Sequence, residues 1–298
     1  MTKVLLGSSR AAFDFVLQQW RGLLSISIVP VAITLALALL QLKNMGVMFE
    51  FIALEAKLGD KMDLAQMGPF MASMSKLYAM GFLSLLVMVW LFVRVVRFWK
   101  TGQGNAFGVT QGELGSTFLT IIYGIGMMLL TMLAYIGGVL ALVLVGVLGA
   151  ALLGESAVGG VLLALVGIAA LLGLILFLYR FLVGLPGVAM GETPGFFSDI
   201  WPLAKGESWG VPLRMILWTA VAAIPILILM FAFSVPLMND IQAQLLAQEK
   251  PEMSPEMISQ MIKIMAPLQI INVIIQVPMT WFFTALLSEA HFRFRAKL

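Results

Sequence analysis

Seven polar side chains near the end of the chain offer the clearest chance for chemistry. Gln269, Asn272, Gln276, Thr280, Thr284, Ser288 and His291 recur every three or four residues in otherwise apolar sequence, which places them along one side of a helix. An unpaired amide in bulk lipid costs several kcal/mol, so this seam must face other helices, water or a bound molecule. Amides and hydroxyls can replace water around a small polar or cationic solute, which makes the seam a possible solute path. They can equally bond across a packed bundle as helix glue. Glue is the preferred reading, because no acidic residue joins the stripe before Glu289 and ion carriers usually hold a charge within the membrane.

Methionine is the second possible chemistry. Met253, Met257, Met261 and Met265 step by four, and Met67 and Met71 repeat the step. Thioethers select Cu(I), so these are candidate soft-metal ligands. Methionine is also the adaptable filler of apolar faces and the chain has 21 of them, so packing is the preferred reading and no cofactor or metal is expected. The chain has no cysteine, which removes thiolate metal sites and disulfides, and its one histidine removes poly-histidine sites. Gly102-Gln103-Gly104 lacks the strand, lysine and spacing of a nucleotide loop, and no Ser, His and acid arrangement has supporting context. The chain reads as a non-enzyme without nucleic-acid partners.

These residues need apolar elements to carry them. Of 298 residues 61% are hydrophobic and 11% charged, so water is not the main solvent. The expected fold is all-α and polytopic, with six transmembrane helices as three hairpins. Residues 8–21 put Ala12, Phe13, Val16, Leu17 and Trp20 on one face and Arg10, Asp14, Gln18 and Arg21 on the other, as expected of an interfacial helix. A first span over 22–42 follows, with Ser27, Thr34 and Gln41 seven apart on one side, and we expect it to be an uncleaved anchor rather than a signal peptide. Pro30 is a candidate kink.

A mixed-charge segment, 43–76, leads to a second span over 77–96 with a cuff of Arg94, Arg97 and Lys100. Only Glu155 and Arg180 are charged between Thr117 and Gly184, so two long helices joined at Gly154-Glu155-Ser156 are expected there. Thr117, Thr120 and Gly124 mark a small, polar side of the first. The 185–210 stretch is rich in turn signals, and the fifth and sixth spans fall near 211–238 and 263–287. Phe196, Phe197, Ile200 and Trp201 repeat the spacing of residues 12–17 at an offset of 184, and Lys205-Gly206 repeats Arg21-Gly22. Three units follow: 1–104, 105–195 and 196–298.

Basic residues orient the whole. Segments 1–21, 94–116, 180–214 and 289–298 hold 12 Lys and Arg against 6 in the opposite loops, which predicts both termini in the cytoplasm of a bacterial inner membrane. Arg94, Arg97, Arg180, Trp201, Lys205, Trp209 and Arg214 are candidate contacts for phospholipid or a protein partner, a second copy included.

Tyr179-Arg180, Leu185-Pro186, Trp201, Lys205-Gly206 and Trp209 resemble a loosely defined bacterial family of six-span inner-membrane proteins. It includes the membrane domain of some glycerophosphodiester phosphodiesterases. The resemblance implies three helical hairpins with cytoplasmic interfacial helices and no assigned activity. Glu207-Ser208 replaces the usual polar-amide and basic pattern, and the sequence carries no phosphodiesterase domain, so no catalytic role is carried over. The expected function is structural or accessory, with a small-solute transporter or channel as the alternative.

Overall fold

The computed structural model describes residues 2–58, 64–104, 112–129, 180–192 and 255–296, with isolated positions between 132 and 173 and between 199 and 232. All regular structure among them is helical. Helix α1 spans Thr2–Leu58, α2 Leu64–Thr101, α3 Gly112–Leu129, α4 Leu185–Ala189 and α5 Pro255–Arg295. A 3-10 turn, Arg180–Gly184, leads directly into α4.

Among the described residues four helical stretches are long and apolar enough to cross a membrane: Ser9–Gly46, Met67–Thr101, Gly112–Leu129 and Gln269–Arg293. Charges mark the slab on α1. Arg21 and Lys43 bound a stretch of about 33 Å at 1.5 Å per residue, close to the roughly 30 Å of hydrocarbon. The lateral surface agrees. Leu17, Trp20, Leu24 and Ile28 on α1, and Leu114, Phe118, Ile122 and Ile125 on α3, form exposed apolar stripes that no water-soluble surface would carry at this extent. Leu213, Leu217, Val221, Ile224, Ile228 and Phe231 are helical and exposed at the same spacing.

α1, α2 and α5 pack against one another and form the core. Both α2 and α5 run antiparallel to α1. Gly22 meets Phe98 while Asn44 Nδ2 lies 3.7 Å from Met80 Sδ, and Ser27 meets Trp281 while Ala12 shares a cluster with Ala290. Leu23, Ile26, Leu91, Val95, Val277 and Trp281 fill the middle. Gly22 is required there because a Cβ would collide with the Phe98 ring.

Two boundaries differ from the sequence expectation. The 8–21 segment is not a separate interfacial helix: α1 continues through Arg21-Gly22 and past Pro30. A glycine-basic step need not end a helix when the glycine is held by a ring, and Thr34 Oγ1 donates to the Pro30 carbonyl at 2.9 Å. The mixed-charge segment is not an open loop either. α1 extends about 22 Å beyond Lys43, and α2 begins at Leu64, twelve residues before Lys76. α2 stops where the chain needs a left-handed residue: Gly102 has φ 66° and its N–H bonds the Phe98 carbonyl at 2.8 Å.

Candidate functional site

The polar seam lies on α5 as the spacing predicts, and its two halves differ. Gln269, Asn272, Gln276 and Thr280 are half-buried, whereas Thr284, Ser288 and His291 are buried. The N-terminal half bonds within its own helix at three of its residues. Gln276 Nε2 donates to Asn272 Oδ1 at 3.2 Å, and Thr280 Oγ1 donates to the Gln276 carbonyl at 2.8 Å. Such bonds to the preceding turn let a hydroxyl survive in an apolar setting without a partner on another helix.

The bond between helices comes from a residue outside the stripe. Trp281 Nε1 donates to Ser27 Oγ at 2.8 Å, and the Ser27 hydroxyl in turn donates to the Leu23 carbonyl at 2.7 Å. Both side chains are buried. Ser27 stands out in sequence through its seven-residue spacing to Thr34, which is also buried, but Trp281 reads as one more aromatic in a greasy run. Its signal is a lone indole donor at mid-span, where a buried N–H must find an acceptor.

A second polar cluster closes the basic end. Arg97 donates to the Gly112 carbonyl at 2.8 Å, to Ser116 Oγ at 2.7 Å and to the Ala189 carbonyl at 3.5 Å, tying α2 to α3 and α4. Arg94 is buried one turn deeper, its guanidinium 5.3 Å from the Trp90 ring and within the field of Glu113 at the start of α3. Arg214 is buried too. The lipid or partner role expected of these three arginines therefore meets side chains already engaged or enclosed by protein. Arg180 begins the 3-10 turn. Trp201, Lys205 and Trp209 lie outside the described residues, as does Met253, while Met257, Met261 and Met265 fall on α5.

His291 sits where the seam and the basic end meet. Its Nδ1 is 2.8 Å from the Val183 carbonyl, and its Nε2 is 4.0 Å from a Glu192 carboxylate oxygen. Arg295 pairs with the other oxygen of Glu192. Gly187 backs onto this group: a Cβ there would stand 2.8 Å from both His291 Cε1 and Glu192 Oε2. α4, at the start of the stretch rich in turn signals, is buried, with Pro186 at its start and Gly191 (φ 87°) just past its end. Tyr123 Oη donates to the Phe181 carbonyl at 2.9 Å and holds the preceding turn. Sequence reading misses Glu192 and Tyr123, because their partners lie about a hundred and about sixty residues away.

No relative is found. Comparisons with protein-family models, with curated proteins and with solved structures give no match to this chain. The site must be read from its own geometry. Among the described residues no three His, Asp or Glu side chains gather as a metal cluster. The arrangement binds helices together through one indole, one forked arginine and one imidazole.

Proposed function

We propose that this chain is a non-enzymatic integral protein of the bacterial inner membrane that serves as a structural or accessory component with phospholipids or membrane-protein partners. In this reading six spans form three hairpins, both termini are cytoplasmic, and the amphipathic start of α1 lies toward the cytoplasmic interface. The architecture is the one implied by the resemblance at Arg180, Leu185-Pro186 and Trp201. The Trp281 to Ser27 bond carries the accessory reading: the deepest donor of the last helix is consumed by a neighbouring helix rather than offered to a solute. Purification in gentle detergent followed by native mass spectrometry tests it. A stoichiometric companion, a second copy or retained phospholipid is expected; a bare monomer that drives saturable solute flux in proteoliposomes overturns it.

A second reading, a small-solute transporter or channel, is favoured by a different observation. Thr284 Oγ1, Ser288 Oγ and His291 Nε2 are buried and have no hydrogen-bond partner. Each such group costs about 1–3 kcal/mol in desolvation, so three in succession need an explanation that helix glue does not give.

A further inference from the structure

Five hydroxyls in the described apolar helices share a bond that Thr284 and Ser288 lack. Ser27, Thr34, Thr117, Thr120 and Thr280 each donate to the carbonyl four residues earlier, at 2.7–2.9 Å. Thr284 and Ser288 do not, although they are 1% and 0% exposed. They share a face of α5 with His291, itself 2% exposed. The axial steps between the three are about 6 and about 4.5 Å. None of the three polar atoms bonds another, and buried polar groups left in this way are the ones that ordered water satisfies.

The imidazole sharpens the picture. A carbonyl only accepts, so the contact with Val183 fixes the proton on Nδ1. In neutral His291 the Nε2 lone pair then faces a Glu192 oxygen, another acceptor, at 4.0 Å. Two acceptors aimed at each other define a place for a proton. The charged groups acting there are Glu192 itself, Arg295 on α5 and Lys100 on α2, whose ammonium lies 4.4 Å from the Phe292 ring centroid.

The Arg180–Glu192 segment closes the His291 end of the row. Arg180–Gly184 and α4 span ten residues, held by the Tyr123, His291 and Arg97 contacts to backbone oxygens and by the Glu192–Arg295 pair. We propose that Thr284, Ser288 and His291 form a row that binds water and passes protons, opened at the basic end when the Arg180–Glu192 segment lifts, with Glu192 exchanging protons at its mouth. In the exchange the Nε2–H bond of imidazolium breaks and an O–H bond forms on Glu192, leaving neutral imidazole. The hydroxyls and waters beyond hand protons on by forming one O–H bond as another breaks, so no oxidant or reductant is needed. The proposal rests on the transporter reading and names its solute.

Ser288→Cys tests it, because the chain has no other thiol. A small charged methanethiosulfonate reagent should label this cysteine slowly, and at least tenfold faster when Glu192→Gln loosens the cover. Arg295→Gln replaces Glu192→Gln if the latter does not elute like the parent protein. In proteoliposomes carrying an internal pH dye and a potassium diffusion potential, the cysteine-free chain should admit protons and Ser288→Val should cut the rate at least fivefold. An unchanged labelling rate overturns the water-filled row. Labelling without a Ser288-dependent proton flux overturns the proton transfer. Saturable flux of another small solute that survives Ser288→Val would keep the transporter reading while overturning the proton row, so the two failures are distinct.

Discussion

If the Trp281 indole bonds Ser27 as the structure has it, Ser27→Ala should cost more than its lost oxygen suggests. Removing Ser27 Oγ leaves a buried N–H without an acceptor, a desolvation penalty of about 1–3 kcal/mol. Trp281→Phe removes the donor instead; Ser27 keeps its bond to Leu23, and the loss is the volume of the larger ring system, about 1–3 kcal/mol. The double variant no longer has an orphan, so the two costs must fall short of additive. The shortfall should lie at about 0.6–1.7 kcal/mol, the range of side-chain hydrogen bonds between membrane helices. Unfolding in mixed micelles by stepwise addition of sodium dodecyl sulfate, followed by circular dichroism, measures all four proteins. A coupling within about 0.3 kcal/mol of zero, no larger than the scatter usual for independent sites, would refute the idea that this bond joins α1 to α5.

Three further outcomes follow from the same contacts. Gly22→Val should destabilise by about 1–3 kcal/mol through collision with Phe98, and Phe98→Ala should recover part of that loss in the same micelle titration. Arg97→Lys keeps the charge but loses the fork that reaches Gly112 and Ser116 together, so thermal unfolding should fall by about 1 kcal/mol equivalent, with Arg97→Ala lower still. Gly187→Ala should push His291 and Glu192 apart by a few tenths of an ångström or more, raising the thiol reactivity of Ser288→Cys as Glu192→Gln does.

Lipid-facing and core-facing positions are legible in this sequence wherever polar side chains punctuate a greasy run. The spacing of Thr284, Ser288 and His291, the Ser27 and Thr34 pair, and the Thr117 and Thr120 side of α3 all mark faces that are buried in the structure. Helix ends are less legible, because a span, its amphipathic lead and its charged extension share one backbone pattern. Arg21-Gly22 looks like a boundary until Phe98 is known to need the missing Cβ. Pairings at long separation leave no local trace: nothing near Glu192 points to His291 and Arg295, and nothing near Arg97 points to Ala189.

α1 is one uninterrupted piece of 57 residues, about 85 Å along its axis, of which the slab accounts for little more than a third. The arm beyond Lys43 reaches about 22 Å past the slab and the arm before Arg21 about 28 Å. The arm before Arg21 packs at Ala12 against Val183 and Ala290, beside the Val183 carbonyl that holds His291. Any tilt of α1 would therefore shift Ala12 against the same turn whose Val183 carbonyl holds the imidazole.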